Sequence, residues 1–337
     1  MTQVQSNAGV IAPLMNAIEV EGGKGPAEAL KLAQRSTPNP VAGEILIRVR
    51  AAGVNHADLH QRRGVYPPPP GASDIIGMEV AGEVAALGPG VERWRVGDRV
   101  TALMGGGGYA EYAVADARQA LPIPRGMDFT HAAALPEAMF TVWSNVFEIG
   151  ALRYGETLLL HGATSGVGVT AIQLAKILGA KVVATSRGAD KAARAKALGA
   201  NLSIDSTVED WAAAVKAFGG ADVALEMVGG EQVAKDLSVM KPLGRVVMIA
   251  YPAGARAEVD FGAILRRRLT LTGSTLRARD AAEKARLAAA VEAKVWPLVE
   301  SGAFKALIAA VFPLAEAAKA HGLLERGDHV GKVILAV

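Results

Sequence analysis

The apolar positions change rhythm once along the chain, near residue 157. Before it, short segments alternate apolar and polar side chains, carry β-branched residues and are punctuated by Gly and Pro: EILIRVRAAGV from Glu44, MEVAGEVAAL from Met78, DRVTALM from Asp98 and YAEYAVA from Tyr109. A period of two puts successive side chains on opposite faces, so these segments predict strands and the first 130 or so residues a β-rich unit. From Thr157, short continuous apolar runs alternate with helical patterns. The runs Thr157–His161, Lys181–Thr185, Leu202–Asp205, Asp222–Met227, Gly244–Ala250 and Leu269–Gly273 predict strands. The segments at about Gly166–Leu178, Asp190–Leu198, Val208–Phe218, Gln232–Met240 and Gly262–Arg267 predict helices. Six strands alternating with helices imply a doubly wound parallel sheet, which takes ligands at the carboxyl ends of its strands.

The tail adds a long Ala/Glu/Lys/Leu helix from about Asp280, a strand at Ala306–Phe312, a further helix and a last strand at Lys332–Ala336. These strands are of the N-terminal kind, so the chain is expected to return to its first domain. The active site is then expected in the cleft between the two domains.

Composition narrows the chemistry. The chain has 337 residues and no cysteine, which removes disulfide scaffolds, thiolate zinc sites and cysteine nucleophiles together. At roughly 150 residues per domain two domains are expected, and a chain this long builds a core without covalent staples. The 36 Lys plus Arg exceed the 33 Asp plus Glu by only three, with no long basic tract, so a nucleic-acid partner is not expected. Two charge-free stretches, Met1–Ile18 and Thr157–Ala175, invite a membrane reading. The first lacks a basic n-region and is broken by Gln3, Gln5, Ser6, Asn7 and Asn16, so no signal peptide is expected. The second carries three glycines and several polar residues and suits a strand, turn and helix. A soluble, cytoplasmic protein without a membrane partner is the expectation.

The most informative segment runs from Leu158 through His161, Gly162, Ala163, Thr164, Ser165, Gly166, Val167 and Gly168. It passes from an apolar strand through a glycine turn into a helix. Glycines allow the tight turn, and backbone N–H groups at the helix start face a pyrophosphate at the favourable end of the helix dipole. Placed on the first of six strands, the pattern indicates dinucleotide binding. About 20 residues on, an NAD-selective protein holds an acid against the ribose 2′-hydroxyl. Here the second strand ends in Ser186 and Arg187, with Lys191 one helical turn later and no acid at the tip. These three suit a 2′-phosphate, so NADPH is the expected cofactor.

The segments AAGVNHADL at Ala51, QRRGVYPPPPGASDIIGMEVAGEV at Gln61, GDRV at Gly97, ALPEAMFTVW at Ala134, HGATSGVG at His161 and GSTLRARD at Gly273 together resemble the medium-chain dehydrogenase/reductase superfamily, specifically its zinc-free quinone oxidoreductases. The resemblance implies an α/β protein. A GroES-like β-rich catalytic domain (1–136 and 278–337) would carry an inserted NADPH-binding Rossmann domain (137–277) with strand order 3-2-1-4-5-6. It further implies a homodimer or homotetramer. Where the zinc alcohol dehydrogenase branch has its catalytic Cys this chain has Asn55, where it has the His of Gly-His-Glu this chain has Met78 before Glu79, and the third ligand position corresponds to Glu137. One carboxylate without its soft partners is a poor zinc site. His56 and His60, spaced i, i+4, lack further identifiable ligands, so no metal is expected.

Without a Lewis acid, the acceptor must be polarised by hydrogen bonds and positioned against the nicotinamide, which favours quinones and conjugated enones. Asn55 is the first candidate for an amide orienting substrate or nicotinamide, and it also suits the N-cap of the following helix. Tyr66 is the candidate hydroxyl beside the acceptor, with packing over its proline-rich loop as the alternative. Thr141 resembles the family residue near the nicotinamide, at the start of the helix entering the second domain. The loops after strands four, five and six, with Val228 and Gly229, Ile249, Ala250 and Tyr251, and Ser274, Thr275 and Leu276, are expected to face the cofactor ring. Arg266, Arg267 and Arg268 read as a solvated helix end. NADPH:quinone reduction is the leading expectation. NADPH-dependent reduction of a 2-alkenal or enoyl thioester is the alternative, and a regulatory or structural NADPH-binding protein like zeta-crystallin is the reading from another class.

Overall fold

The computed structural model describes residues 11–337; the leader-peptide reading of the N-terminus falls largely on residues 1–10, outside the described residues. The chain opens with a hairpin that the alternation pattern did not single out, β1 (Leu14–Val20) against β2 (Leu30–Ser36). It continues into β3 (Glu44–Val54), β4 (Glu79–Leu87), β5 (Arg99–Leu103), β6 (Tyr112–Asp116) and β7 (Ala120–Pro122). Ile45, Ile47, Val80, Val84, Val100 and Tyr109 form the centre of this unit's core. Burying such side chains contributes about 1.5–3 kcal/mol each.

A second sheet follows: β8 (Thr157–Leu160), β9 (Lys181–Ser186), β10 (Leu202–Asp205), β11 (Ala221–Glu226), β12 (Met240–Met248) and β13 (Thr270–Gly273). The strands are all parallel and lie in the order β10-β9-β8-β11-β12-β13, the 3-2-1-4-5-6 order of the Rossmann fold. Helices cover both faces. Leu158 and Leu160 pack on one side with Phe140, Ile172 and Trp296; Leu159 packs on the other with Trp211, Val215 and Leu237. Because β8 is buried on both sides, its pattern is continuous rather than alternating.

The tail returns to the first sheet. β14 (Ile308–Pro313) pairs with β15 (Lys332–Ala336), and β15 runs antiparallel to β3. The expected long tail helix divides into Ala281–Lys294 and Trp296–Glu300, with Pro297 opening the second piece, as a residue without an N–H must. Arg267 also departs from its reading as part of a solvated helix end. Its guanidinium donates to the carbonyls of Leu237, Ser238 and Met240, capping the end of the neighbouring helix Gln232–Val239. Among the described residues no helix is long and apolar enough to cross a membrane.

Candidate active site

The glycine turn is built as a cradle at the carboxyl end of β8. Gly162 adopts φ +65°, and Ala163 N–H donates to the Thr185 carbonyl at 3.1 Å, tying the turn to β9. Ser165 caps the helix Gly166–Ile177 by accepting from Gly168 N–H at 3.0 Å. The N–H groups of Gly166 and Val167 have no protein acceptor among the described residues, the condition for receiving an anion. One close approach requires glycine: a Cβ on Gly168 would lie 2.4 Å from the Gly162 carbonyl oxygen, while one on Gly166 would press on the Lys332 side chain, 2.4 Å from its Cδ. Thr164 is buried, and its carbonyl accepts from Gly331 N–H at 2.9 Å. The C-terminal strand therefore passes directly beneath the turn.

At the end of β9, Ser186 is buried and its hydroxyl has no partner in the protein. Arg187 next to it is exposed and makes no ion pair among the described residues, while Lys191 Nζ donates to the Gly327 carbonyl at 2.6 Å. A buried orphan hydroxyl beside a free guanidinium fits a phosphate that supplies acceptors to both. Asp205, the nearby acid on β10, uses its Oδ1 to accept from Gly188 N–H and from the Thr207 N–H and hydroxyl. The residues fit the phosphorylated form of the dinucleotide.

The loop after β11 is shaped by a buried acid. The N–H groups of Val228 and Gly229 both donate to Glu226 Oε1, and Ala253 N–H donates to the Val228 carbonyl. Glu226 belongs to a buried group with His161 and Asp236; His161 Nε2 lies 2.8 Å from Asp236 Oδ1, and its Nδ1 lies 2.7 Å from the Thr185 hydroxyl. Burial dominates each ionisation, pushing Glu226 up to about 8 and Asp236 up to about 7, and His161 down to about 4. Ile249 and Ala250 are half-buried and Tyr251 exposed at the end of β12; Leu276 packs into the core, and Ser274 and Thr275 both accept from Arg279.

On the other wall, Asn55 is buried at the N-cap of the helix His56–Arg62, where it forms a capping box with Asp58. Its Nδ2 donates to Glu79 Oε1 at 2.8 Å, and its Oδ1 accepts from the Lys332 ammonium. Lys332 Nζ also lies 2.5 Å from Glu79 Oε1. Glu79 Oε2 accepts from Glu137 N–H at 2.9 Å, and Thr141 donates its hydroxyl to Glu137 Oε1 at 3.2 Å. Thr141 lies late in the helix Pro136–Val142 rather than at its start, one turn beyond Glu137, which is why the two side chains meet. Tyr66 is half-buried with the Arg277 guanidinium 5.3 Å from its ring centre. Burial raises the Tyr66 hydroxyl, the Arg277 charge opposes that, and the Glu137 charge adds to it.

Behind Asn55 a buried chain reaches the helix Ala317–Arg326. Arg62 can only donate, so His321 Nδ1 accepts from it and His321 Nε2–H donates to Tyr109, whose hydroxyl donates to Asp58. Asp58 in turn accepts from Asn55 N–H. Sequence reading missed Lys332, Arg277 and the Glu226 and Asp236 pair. A signal existed for one of them: Lys332 opens an otherwise apolar strand, where an unpaired charge is costly. The donor set does not suit zinc, since the Asn55 amide is engaged by Lys332 and Glu79, and the neighbouring Met78 is a buried thioether.

Residues 41–125 match the family model of the alcohol dehydrogenase GroES-like domain, and residues 166–292 that of the zinc-binding dehydrogenases. Quinone oxidoreductase of Rattus norvegicus is 31% identical over 331 residues, covering 96% of this chain and 98% of its own length. The chain belongs to the quinone oxidoreductase family. Within the medium-chain dehydrogenase/reductases, it falls on the zinc-free side, as its donor set requires. The quinone oxidoreductase of Pseudomonas syringae pv. tomato DC3000 superposes with a TM-score of 0.86 at 31% identity, covering 96% of this chain and all of that one. That of Escherichia coli, solved with NADPH, gives 0.84 at 28% identity over 96% and 99% of the two chains.

Proposed function

We propose that this quinone oxidoreductase family member is an NADPH:quinone oxidoreductase that works by metal-free hydride transfer. The observation that carries the reading is the ribose end of the cradle: the buried, unpartnered Ser186 hydroxyl beside the free Arg187 guanidinium, with Lys191 in support. When bound there, NADPH supplies the hydride. Ala163, Thr164, Ser165, Gly166, Val167 and Gly168 hold its pyrophosphate, and the loops at Val228 and Gly229, at Ile249, Ala250 and Tyr251, and at Ser274, Thr275 and Leu276 surround its ring. Thr141 and Tyr66 line the acceptor side. Asn55 acts through Lys332 and Glu79, because both ends of its amide are already bonded. Its role is to fix that wall rather than to touch the acceptor.

We divide the chain into a catalytic domain of residues 1–136 and 278–337 and a cofactor domain of residues 137–277, with the acceptor between them. The cytoplasm, where NADPH is the working reductant, is the compartment this reading assigns. A homodimer formed through β13 is the assembly it favours. That strand is the open edge of the cofactor sheet, and Leu271, Phe261 and Leu265 lie exposed on and beside it.

Steady-state kinetics with NADPH and NADH against a panel of quinones, 2-alkenals and enoyl thioesters test the function. The expected result is a quinone preference with NADPH. A preference above about a hundredfold for thioesters replaces the reading by double-bond reduction, and equal efficiency with the two cofactors removes the Ser186 and Arg187 argument.

A further inference from the structure

Two-electron reduction of a quinone to a hydroquinone consumes one proton besides the hydride, and a site without a metal needs a group to deliver it. We propose that Glu137 is the acid that gives this proton to the acceptor oxygen. The inference rests on the quinone-reductase reading above and names a residue which that reading leaves without a role.

The candidates on this wall separate by their hydrogen bonds. Glu79 accepts from Lys332 and Asn55 at one oxygen and from Glu137 N–H at the other, so it has neither a proton to give nor a direction in which to give it. The Lys332 ammonium is buried against Asn55, Glu79 and the Val54 carbonyl. The Tyr66 hydroxyl is raised in pKa, chiefly by burial, which makes it a weaker acid than an ordinary phenol. Glu137 differs from all three. Like Tyr66 it is half-buried; its distinction is a carboxyl with one oxygen steadied by the Thr141 hydroxyl and the other without a partner among the described residues. The Glu137 charge acts on the Tyr66 hydroxyl, and the proposal sets the free carboxyl oxygen on the same wall as Tyr66.

The surroundings hold a proton on Glu137 better than water would. Burial raises its pKa most, the Lys332 ammonium on β15 lowers it, and the Glu79 carboxylate on β4 raises it again. Burial outweighs the Lys332 charge, and the net shift is upward. A carboxyl tuned toward neutrality is what general-acid catalysis asks for.

The step balances as follows. Hydride adds to one carbonyl oxygen of the quinone, and the two electrons pass through the ring to the opposite carbonyl oxygen as the ring becomes aromatic. That oxygen forms its O–H bond as the Glu137 O–H bond breaks. The hydroquinone leaves, and Glu137 takes a proton from water.

The test compares wild type with Glu137→Gln and Glu137→Asp in the complete enzyme, using para-benzoquinone. Glu137→Gln keeps an acceptor for Thr141, and a melting curve like that of wild type shows that it folds. The expected result is a kcat lowered about 100-fold with KM little changed. In wild type kcat is expected to fall as pH rises through the Glu137 titration, and that limb is expected to be absent from Glu137→Gln and to return, at lower height, in Glu137→Asp. A readout without turnover is difference infrared spectroscopy of the cofactor-free protein across the titration. A protonated carboxyl band is expected that is missing from Glu137→Gln and moves when hydroquinone is added. An active wild type whose Glu137→Gln variant retains kcat and the alkaline limb overturns the proposal, as does a carboxyl band indifferent to hydroquinone. A wild type inert to quinones but active on enals is a separate result: it overturns the quinone reading, and this proposal with it.

Discussion

Lys332 Nζ lies 2.5 Å from Glu79 Oε1, and both side chains are buried where the C-terminal strand passes beneath the glycine turn. The pair joins β15 to β4 although β3 lies between them in the sheet. It also orients Asn55 on one side and the start of the Glu137 helix on the other. A single ion pair thus holds Asn55 and the start of the Glu137 helix in place.

Removing one partner should be costly for that reason. Lys332→Met leaves the Glu79 carboxylate buried with only neutral donors, and breaking such a pair costs about 3–5 kcal/mol. Urea unfolding should show the midpoint falling with little change in slope. The double variant Lys332→Met, Glu79→Gln should recover part of the loss, because no charge is then left alone.

Ser186→Ala should have opposite effects on the free and the loaded protein. Its hydroxyl is buried without a partner, so removing it leaves the free protein unharmed or stabilises it by up to about 1 kcal/mol. NADPH binding, by contrast, should weaken. Arg187→Glu should raise the Kd for NADPH at least about 10-fold and leave NADH within a few-fold, as loss of a charge-assisted phosphate contact predicts. Fluorescence titration with each cofactor reads both variants.

Gly168→Ala should abolish cofactor binding before it abolishes folding. The added methyl would sit 2.4 Å from the Gly162 carbonyl, so the turn must open and the helix N-terminus shift away from the pyrophosphate. Calorimetry should find no NADPH binding while circular dichroism retains the helix signal.

The His161, Glu226 and Asp236 group gives stability a pH dependence with a definite sign. Glu226 rises from an ordinary 4.5 to about 8 in the fold, so its contribution is full below about 4.5 and is lost as pH climbs through about 8. Asp236, raised to about 7, acts in the same direction. His161 acts oppositely: lowered to about 4, it favours folding above about 6.5 and loses that contribution as pH falls. Melting temperature against pH should fall on the alkaline side in wild type. In Glu226→Gln, where an amide oxygen can still accept from Val228 and Gly229, that fall should be shallower.

If β13 forms the dimer edge, Leu265→Glu should convert the protein to a monomer in light scattering without lowering its melting temperature in dilute solution. Leu265 is exposed in the single chain, so the substitution takes nothing from the chain's own core.

The geometry of the half proposed to hold the cofactor was legible in the sequence because its parts are contiguous. The strand, the glycine turn and the helix from Leu158 to Ile177 follow one another, and Ser186 and Arg187 stand at the end of the next strand, so local geometry alone brings them to one edge. Element ends shifted by a residue or a few, as with β12, which begins at Met240 rather than Gly244. The hairpin of β1 and β2 escaped notice because β2, LKLAQRS, is mostly exposed and offers little apolar signal.

The wall proposed for the acceptor was not legible in the same way. Asn55, Glu79, Glu137 and Lys332 come from four separate places in the chain, and nothing in their spacing says that the Asn55 amide would bond a lysine 277 residues away. By itself the sequence determined the doubly wound sheet and the strand, glycine turn and helix that open it, because hydrophobic period and turn chemistry act over neighbouring residues. Only the tertiary structure decided which charges are buried together. Pairing across the fold depends on the antiparallel register of β15 on β3, which carries Lys332 to Asn55 and Glu79, and no local pattern encodes that register.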